Sequence, residues 1–165
     1  MSLLEIKDLY KEFSNGKSRF AAVDHVSLHI EEGECLGVVG ESGCGKSTTA
    51  SLVMHLKEPD SGSIVFDGRE LNTRQAVKES RKNLQMIFQN PVDSFDPRYT
   101  LLDSVKQGLK YFENPGKAEL ERRAKEAIEY AGLKPSYYNR KIYQLSGGEC
   151  QRAAIAGRSF PLPNC

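Results

Sequence analysis

The stretch Gly40-Glu41-Ser42-Gly43-Cys44-Gly45-Lys46-Ser47, with Thr48 after it, constrains this chain more than any other. It fits G-x-x-x-x-G-K-[ST] and stands between a short apolar run, Cys35 to Val39, and a helical pattern from about Lys46 to Leu56. Holding several phosphate oxygens at once needs several backbone N–H donors converging on them, so the chain must curl tightly. Gly40, Gly43 and Gly45 can take the positive φ that such a curl requires. A helix that begins at the loop aims its positive end at the anion. Lys46 adds a point charge for β and γ phosphates, and the Ser47 hydroxyl is an oxygen ligand suited to Mg²⁺. Cys44 has two readings: a small loop residue whose amide faces phosphate, or a thiol acidified by the helix end and Lys46.

Before this loop, Leu4 and Ile6 alternate with polar neighbours, as do Val26, Leu28 and Ile30, which predicts two half-buried strands joined through a turn at 14–17. Cys35 to Val39 is continuously apolar and reads as a strand covered on both faces. Further strands are predicted at Ser63–Phe66, after the turn 59–62, and at Leu84–Phe88. The pattern then becomes helical. Thr100 to Asp103 is a candidate capping box for a helix with Leu102, Val105, Leu109 and Phe112 inward, ended by Asn114-Pro115-Gly116. Lys117 to Ala131 is the next helix, with Glu119–Arg123 and Glu121–Lys125 as charge pairs and Gly132 as its C-terminal cap.

The second strong motif is Leu145-Ser146-Gly147-Gly148-Glu149-Cys150-Gln151-Arg152. It describes a capped helix start, with Ser146 accepting from the Glu149 N–H and the Glu149 carboxylate reaching back. Two glycines there let backbone N–H groups come close to an anion. Alone it is simply a helix cap. Together with the phosphate loop about a hundred residues earlier, it makes the chain resemble the ATP-binding cassette family from about Leu4 to Ala156.

That resemblance implies an α/β fold of the P-loop NTPase type. Residues 1–90 would form a β-rich subdomain and part of a RecA-like core, residues 91–156 a helical subdomain, and residues 157–165 a tail outside the family pattern. It implies ATP and Mg²⁺ as cofactors, bound by Gly40, Glu41, Ser42, Gly43, Cys44, Gly45, Lys46, Ser47 and Thr48. Ser146, Gly147, Gly148 and Glu149 would cover the γ-phosphate held by a second ATPase subunit in a head-to-tail dimer. Gln89, in Phe88-Gln89-Asn90-Pro91, is similar to the family's glutamine loop; it would touch Mg²⁺ and the attacking water, so Lys46 and Gln89 are the expected catalytic residues. Phe13 stands by spacing where the family stacks adenine, with Tyr10 and Phe20 as alternatives. The segment Gln89 to Thr100 resembles ATPases of oligopeptide, dipeptide and nickel importers, whose membrane permease subunits dock nearby. The expected location is the cytoplasm, peripheral on the inner face of the membrane.

The resemblance stops after Ala156. Pro161 and Pro163 cannot continue a helix, and no acidic pair follows to serve the family's water-activating position. None of His25, His29 and His55 matches its later histidine. The expectation from sequence is therefore a frameshifted, truncated or fragmentary chain, marginal in stability and weak in turnover. Other readings are a soluble cassette protein without a membrane partner and a nucleotide-binding fragment without catalysis. The net charge of +1 and the absence of long Lys/Arg clusters argue against nucleic acid. No apolar run is long enough to span a bilayer, no secretory leader is evident, and the four cysteines lack metal-ligand spacing.

Overall fold

The computed structural model describes residues 2–16, 18–113 and 115–157, without the side chain of Phe112. Lys17 of the first turn, Asn114 of the predicted helix stop and the tail 158–165, including Cys165, lie outside the described residues. The chain divides into two compact units, Met1–Leu84 and Gln85–Cys165.

The first unit is built on a four-stranded antiparallel sheet, order β2-β1-β3-β4, from β1 (Ser2–Ser14), β2 (Arg19–Glu31), β3 (Ser61–Phe66) and β4 (Arg69–Glu70). Both long strands extend well beyond the alternating runs that announce them. Leu4 pairs with Ile30 and Ile6 with Leu28, and then the register slips so that Leu9 faces Val26 and Lys11 faces Val23. Asp8 and His25 sit at the two slips with φ of 52° and 49°. An extra residue on one strand is thus offset by one on the other, the signature of paired bulges. The Asp8 N–H donates to Ser27 Oγ at 2.8 Å, and His25 Nδ1 lies 2.8 Å from Asp8 Oδ1, which ties the slip together. The bulge turns Leu9 inward, where it is fully buried beside Ile6, Val23 and Ile64.

Helix α1 (Lys46–Val53) closes this core through Leu52, and α2 (Arg74–Ser80) adds Ala76. α1 is shorter than the predicted 46–56. It ends at Met54, and His55 takes the left-handed conformation (φ 47°). His55 N–H then donates to the Leu52 carbonyl and Leu56 N–H to the Ser51 carbonyl, both at 2.9 Å. This double closure is a Schellman stop made without glycine. α2 was not foreseen. Its seven residues are too few to show a period, and its start rests on the Thr73 hydroxyl accepting from the Ala76 N–H at 3.1 Å.

Two predicted strands are corrected. Residues 35–39 and 84–88 carry no strand pairing in the described chain. A continuous apolar run signals two covered faces, but a strand exists only where a neighbour accepts its N–H and C=O groups. No described strand flanks either segment, and Val38, Val39 and Ile87 are exposed, Val39 at 96%.

The second unit is helical: α3 (Leu101–Phe112), α4 (Lys117–Tyr130) and α5 (Gly147–Ala156). Their shared core holds Val105, Leu109, Ala124, Ile128, Cys150 and Ala153. The small residues Ala124, Ala127, Ala153 and Ala156 are all buried, which suits close helix packing. Thr100 caps α3, accepting from the Asp103 N–H at 3.2 Å. The predicted reciprocal bond is replaced: the Thr100 hydroxyl donates to Asp103 Oδ2 at 2.6 Å, since aspartate is one methylene shorter than glutamate. On α4, Glu121–Lys125 forms at 2.7 Å, but Glu119 pairs with Arg122, and Arg123 turns to Glu113 instead. Gly132 (φ 76°) ends α4 as expected, with Leu133 N–H donating to the Ile128 carbonyl.

Candidate functional site

In the loop before α1, Gly43 and Gly45 take φ of 86° and 93°. Gly45 is the N-cap itself, and a Cβ there would lie 2.1 Å from the Ala22 carbonyl oxygen. The β2 backbone therefore leaves room for glycine alone. Gly40 differs from expectation: it does not need positive φ but space, because a Cβ would meet Cys44 Sγ at 2.7 Å. α1 has no side-chain N-cap and no acidic residue in its first turn, and among the described α-helices it alone lacks both. Its leading N–H groups and the positive end of its dipole are thus left for an outside anion.

The Lys46 ammonium folds back over the loop and donates to the Gly40 carbonyl at 2.7 Å and the Glu41 carbonyl at 2.6 Å, with Cys44 Sγ at 3.4 Å. It braces the curl while staying at the surface. Ser42 and Gly43 form the turn, closed by Cys44 N–H to the Glu41 carbonyl at 3.4 Å. Ser47 is exposed and Thr48 half-buried on the first turn of α1. Thr49 and Ser51 spend their hydroxyls on the Gly45 and Ser47 carbonyls.

Phe13 pairs across the hairpin with Phe20, ring centroids 6.0 Å apart, and the Lys57 ammonium lies 5.0 Å from the Phe13 centroid. Lys57 is a neighbour that no local pattern announces. Tyr10, the other candidate, packs at 5.1 Å on the His25 ring, and its phenol is pushed up by burial and by nearby Glu12.

In the second unit, Gln89 is exposed in a bend ahead of the 3-10 turn Pro91–Ser94, where the Asn90 amide donates to Asp93 at 2.7 Å. At the start of α5 the capping box forms in full. The Glu149 N–H donates to Ser146 Oγ at 3.4 Å, and the Ser146 N–H donates to Glu149 Oε2 at 2.7 Å. Ser146, Gly147 and Gly148 are exposed. The other carboxylate oxygen, Glu149 Oε1, accepts from the Tyr137 hydroxyl at 2.8 Å. The Ser146 N–H first, then the Tyr137 hydroxyl, hold the Glu149 carboxyl down at about 2. Cys150 is buried with its thiol toward the Ile142 carbonyl, and burial raises its pKa.

A family model described as ABC transporter matches residues 23–163. The chain is 40% identical over 158 residues to the oligopeptide transport ATP-binding protein OppF of Bacillus subtilis, covering 93% of this chain and 52% of that protein. It is also 40% identical over 166 residues to OppF of Haemophilus influenzae, covering 93% and 50%. The chain thus spans about half the length of the curated relatives it matches. Among solved structures, the dimeric bacterial ABC transporter cassette MJ0796 matches with a TM-score of 0.84 at 31% identity, over 94% of this chain and 68% of that one. A dimeric post-hydrolysis state of MJ0796 bound to ADP and Pi matches with a TM-score of 0.83, also at 31% identity, over the same shares of the two chains. No helix among the described residues is long and apolar enough to cross a membrane.

Proposed function

The chain belongs to the ABC transporter family, and from that premise we propose that it binds Mg-ATP as the energy-coupling ATPase part of a peptide-type importer. The observation that carries this reading is the loop: two left-handed glycines leading into a helix with neither cap nor first-turn acid, under a lysine ammonium. Such an arrangement is complementary to a polyphosphate and to little else of biological abundance.

In this reading the amides of Gly43 to Thr48 receive the phosphates, and Lys46 exchanges its two carbonyl partners for β and γ oxygens. Ser47 would supply a hydroxyl ligand to Mg²⁺, an ion that would neutralise phosphate charge when bound. No carboxylate opens α1, so the first turn fits a metal–phosphate pair without repulsion. Phe13 stacks the adenine. The Ser146–Glu149 turn of a second subunit closes over the γ-phosphate, orienting it for attack by water. The dimeric structures of MJ0796 support pairing of two such chains, and the OppF relatives, oligopeptide transport ATP-binding proteins, support peptide as cargo.

The test is nucleotide-dependent melting of the full chain with ATP, with and without Mg²⁺, beside Lys46→Ala. Binding at a hundred times Kd adds about 2.7 kcal/mol to stability, and Lys46→Ala should abolish most of that gain. Equal and vanishing shifts for both folded proteins would sink the assignment of nucleotide binding to this loop.

A further inference from the structure

The cap of α5 contains a difficulty. An acidic side chain three residues into a helix stabilises it by facing the positive end of the dipole, yet under the two-subunit reading the same turn must receive a γ-phosphate. A carboxylate free to swing there would repel the anion it is meant to cover.

The structure shows where this carboxylate is kept. Both oxygens of Glu149 are occupied, Oε2 by the Ser146 N–H at 2.7 Å and Oε1 by the Tyr137 hydroxyl at 2.8 Å. Tyr137 closes the 3-10 turn Pro135–Tyr137 and packs its ring against the helical core. The Arg140 guanidinium lies 4.0 Å from that ring's centroid, and its positive charge helps to hold the Glu149 carboxyl ionised. The loop bearing these two residues is itself anchored. Leu101 N–H donates to the Arg140 carbonyl at 2.8 Å and Leu102 N–H to the Tyr138 carbonyl at 3.1 Å, while Thr100 bridges to Lys141. Tyr137 is therefore a fixed strut and not a passing surface contact.

We propose that Tyr137, backed by Arg140, is a positioning residue that keeps the Glu149 carboxylate fixed in its cap on Ser146 and leaves the Gly147–Gly148 backbone free to receive the γ-phosphate held by a second copy of this chain. The proposal rests on the two-subunit reading above. It acts through Glu149 alone, so its effect depends on the charge there. With glutamine at 149 there is no carboxylate to restrain, and the Tyr137 hydroxyl loses its purpose.

Mg-ATP-driven self-association of the full chain, followed by sedimentation velocity, tests this in four proteins: unaltered, Tyr137→Phe, Glu149→Gln and the double variant. Tyr137→Phe keeps the ring and the core packing. It should weaken association about tenfold, the worth of one hydrogen bond to a charged group, and in the Glu149→Gln background it should change nothing. Carboxyl-carbon NMR should also show Glu149 titrating upward from about 2 in Tyr137→Phe. Equal weakening in both backgrounds overturns the proposal, since Tyr137 would then serve packing only. Association that Tyr137→Phe leaves untouched overturns it as well, with the two-subunit reading intact. If the unaltered chain does not associate with Mg-ATP, that reading falls and takes the proposal with it.

Discussion

Gly45→Ala is the sharpest test of why the glycine-rich loop before α1 folds as it does. Two separate costs are visible. Gly45 sits at φ 93°, where a residue with a Cβ pays about 1–2 kcal/mol. The new methyl would also lie 2.1 Å from the Ala22 carbonyl oxygen and 3.3 Å from its carbon, which is backbone of a sheet strand and not a flexible side chain. Opening that contact by about 1 Å is an overpacking cost of roughly 1–3 kcal/mol. The sum, about 2–5 kcal/mol, is a large share of ordinary domain stability. For a chain of this size it corresponds to a fall in Tm of about 5–15 °C. Gly43→Ala is the control: its φ is 86°, yet nothing lies within 4 Å of the added Cβ, so only the first cost, about 1–2 kcal/mol, applies. Calorimetry and urea titration of the two variants give both numbers. If Gly45→Ala and Gly43→Ala agree within about 0.5 kcal/mol, the close approach of β2 to the loop has no energetic weight and the reasoning fails.

Gly40→Ala should cost less than Gly45→Ala, because its close contact at 2.7 Å is with the terminal Sγ of exposed Cys44, which can rotate away, and the next atom is 3.9 Å away; urea titration of the two variants measures the difference. Leu109→Ala, at a fully buried position of the helical unit, should cost about 2–5 kcal/mol, read as a lower urea midpoint. Glu149 and Asp96 are both held at about 2, by the Ser146 N–H and by the Arg98 guanidinium respectively. Their folded pKa values lie below the unfolded ones, so the stability they contribute is present above about pH 4 and lost as pH falls towards 2. Glu149→Gln should flatten that part of a Tm-against-pH curve. Iodoacetamide should label exposed Cys35 and Cys44 readily, and Cys150 only after unfolding, as mass spectrometry of the quenched protein will report.

What this chain's sequence determined by itself is local chemistry. The glycine-rich loop leading into α1, the Ser146–Glu149 capping box, the Thr100 cap and the Gly132 stop all need residue types within a few positions of one another, and each forms at the residues that announce it. Tertiary structure decided what depends on a distant neighbour. Alternation breaks at Asp8, so the sequence shows β1 only to Ile6; the paired bulge with His25 restores the phase and buries Leu9. The apolar runs at 35–39 and 84–88 look like strands, but a strand is half of a ladder and no partner is written in its own residues. Gly40 and Gly45 look alike in the motif, yet one yields space to Cys44 and the other to the Ala22 carbonyl. Tyr137 reaches Glu149 across twelve residues by way of a turn pinned to α3. Periodicity and capping are written along the chain, whereas packing and long-range hydrogen bonds exist only once separate segments have met.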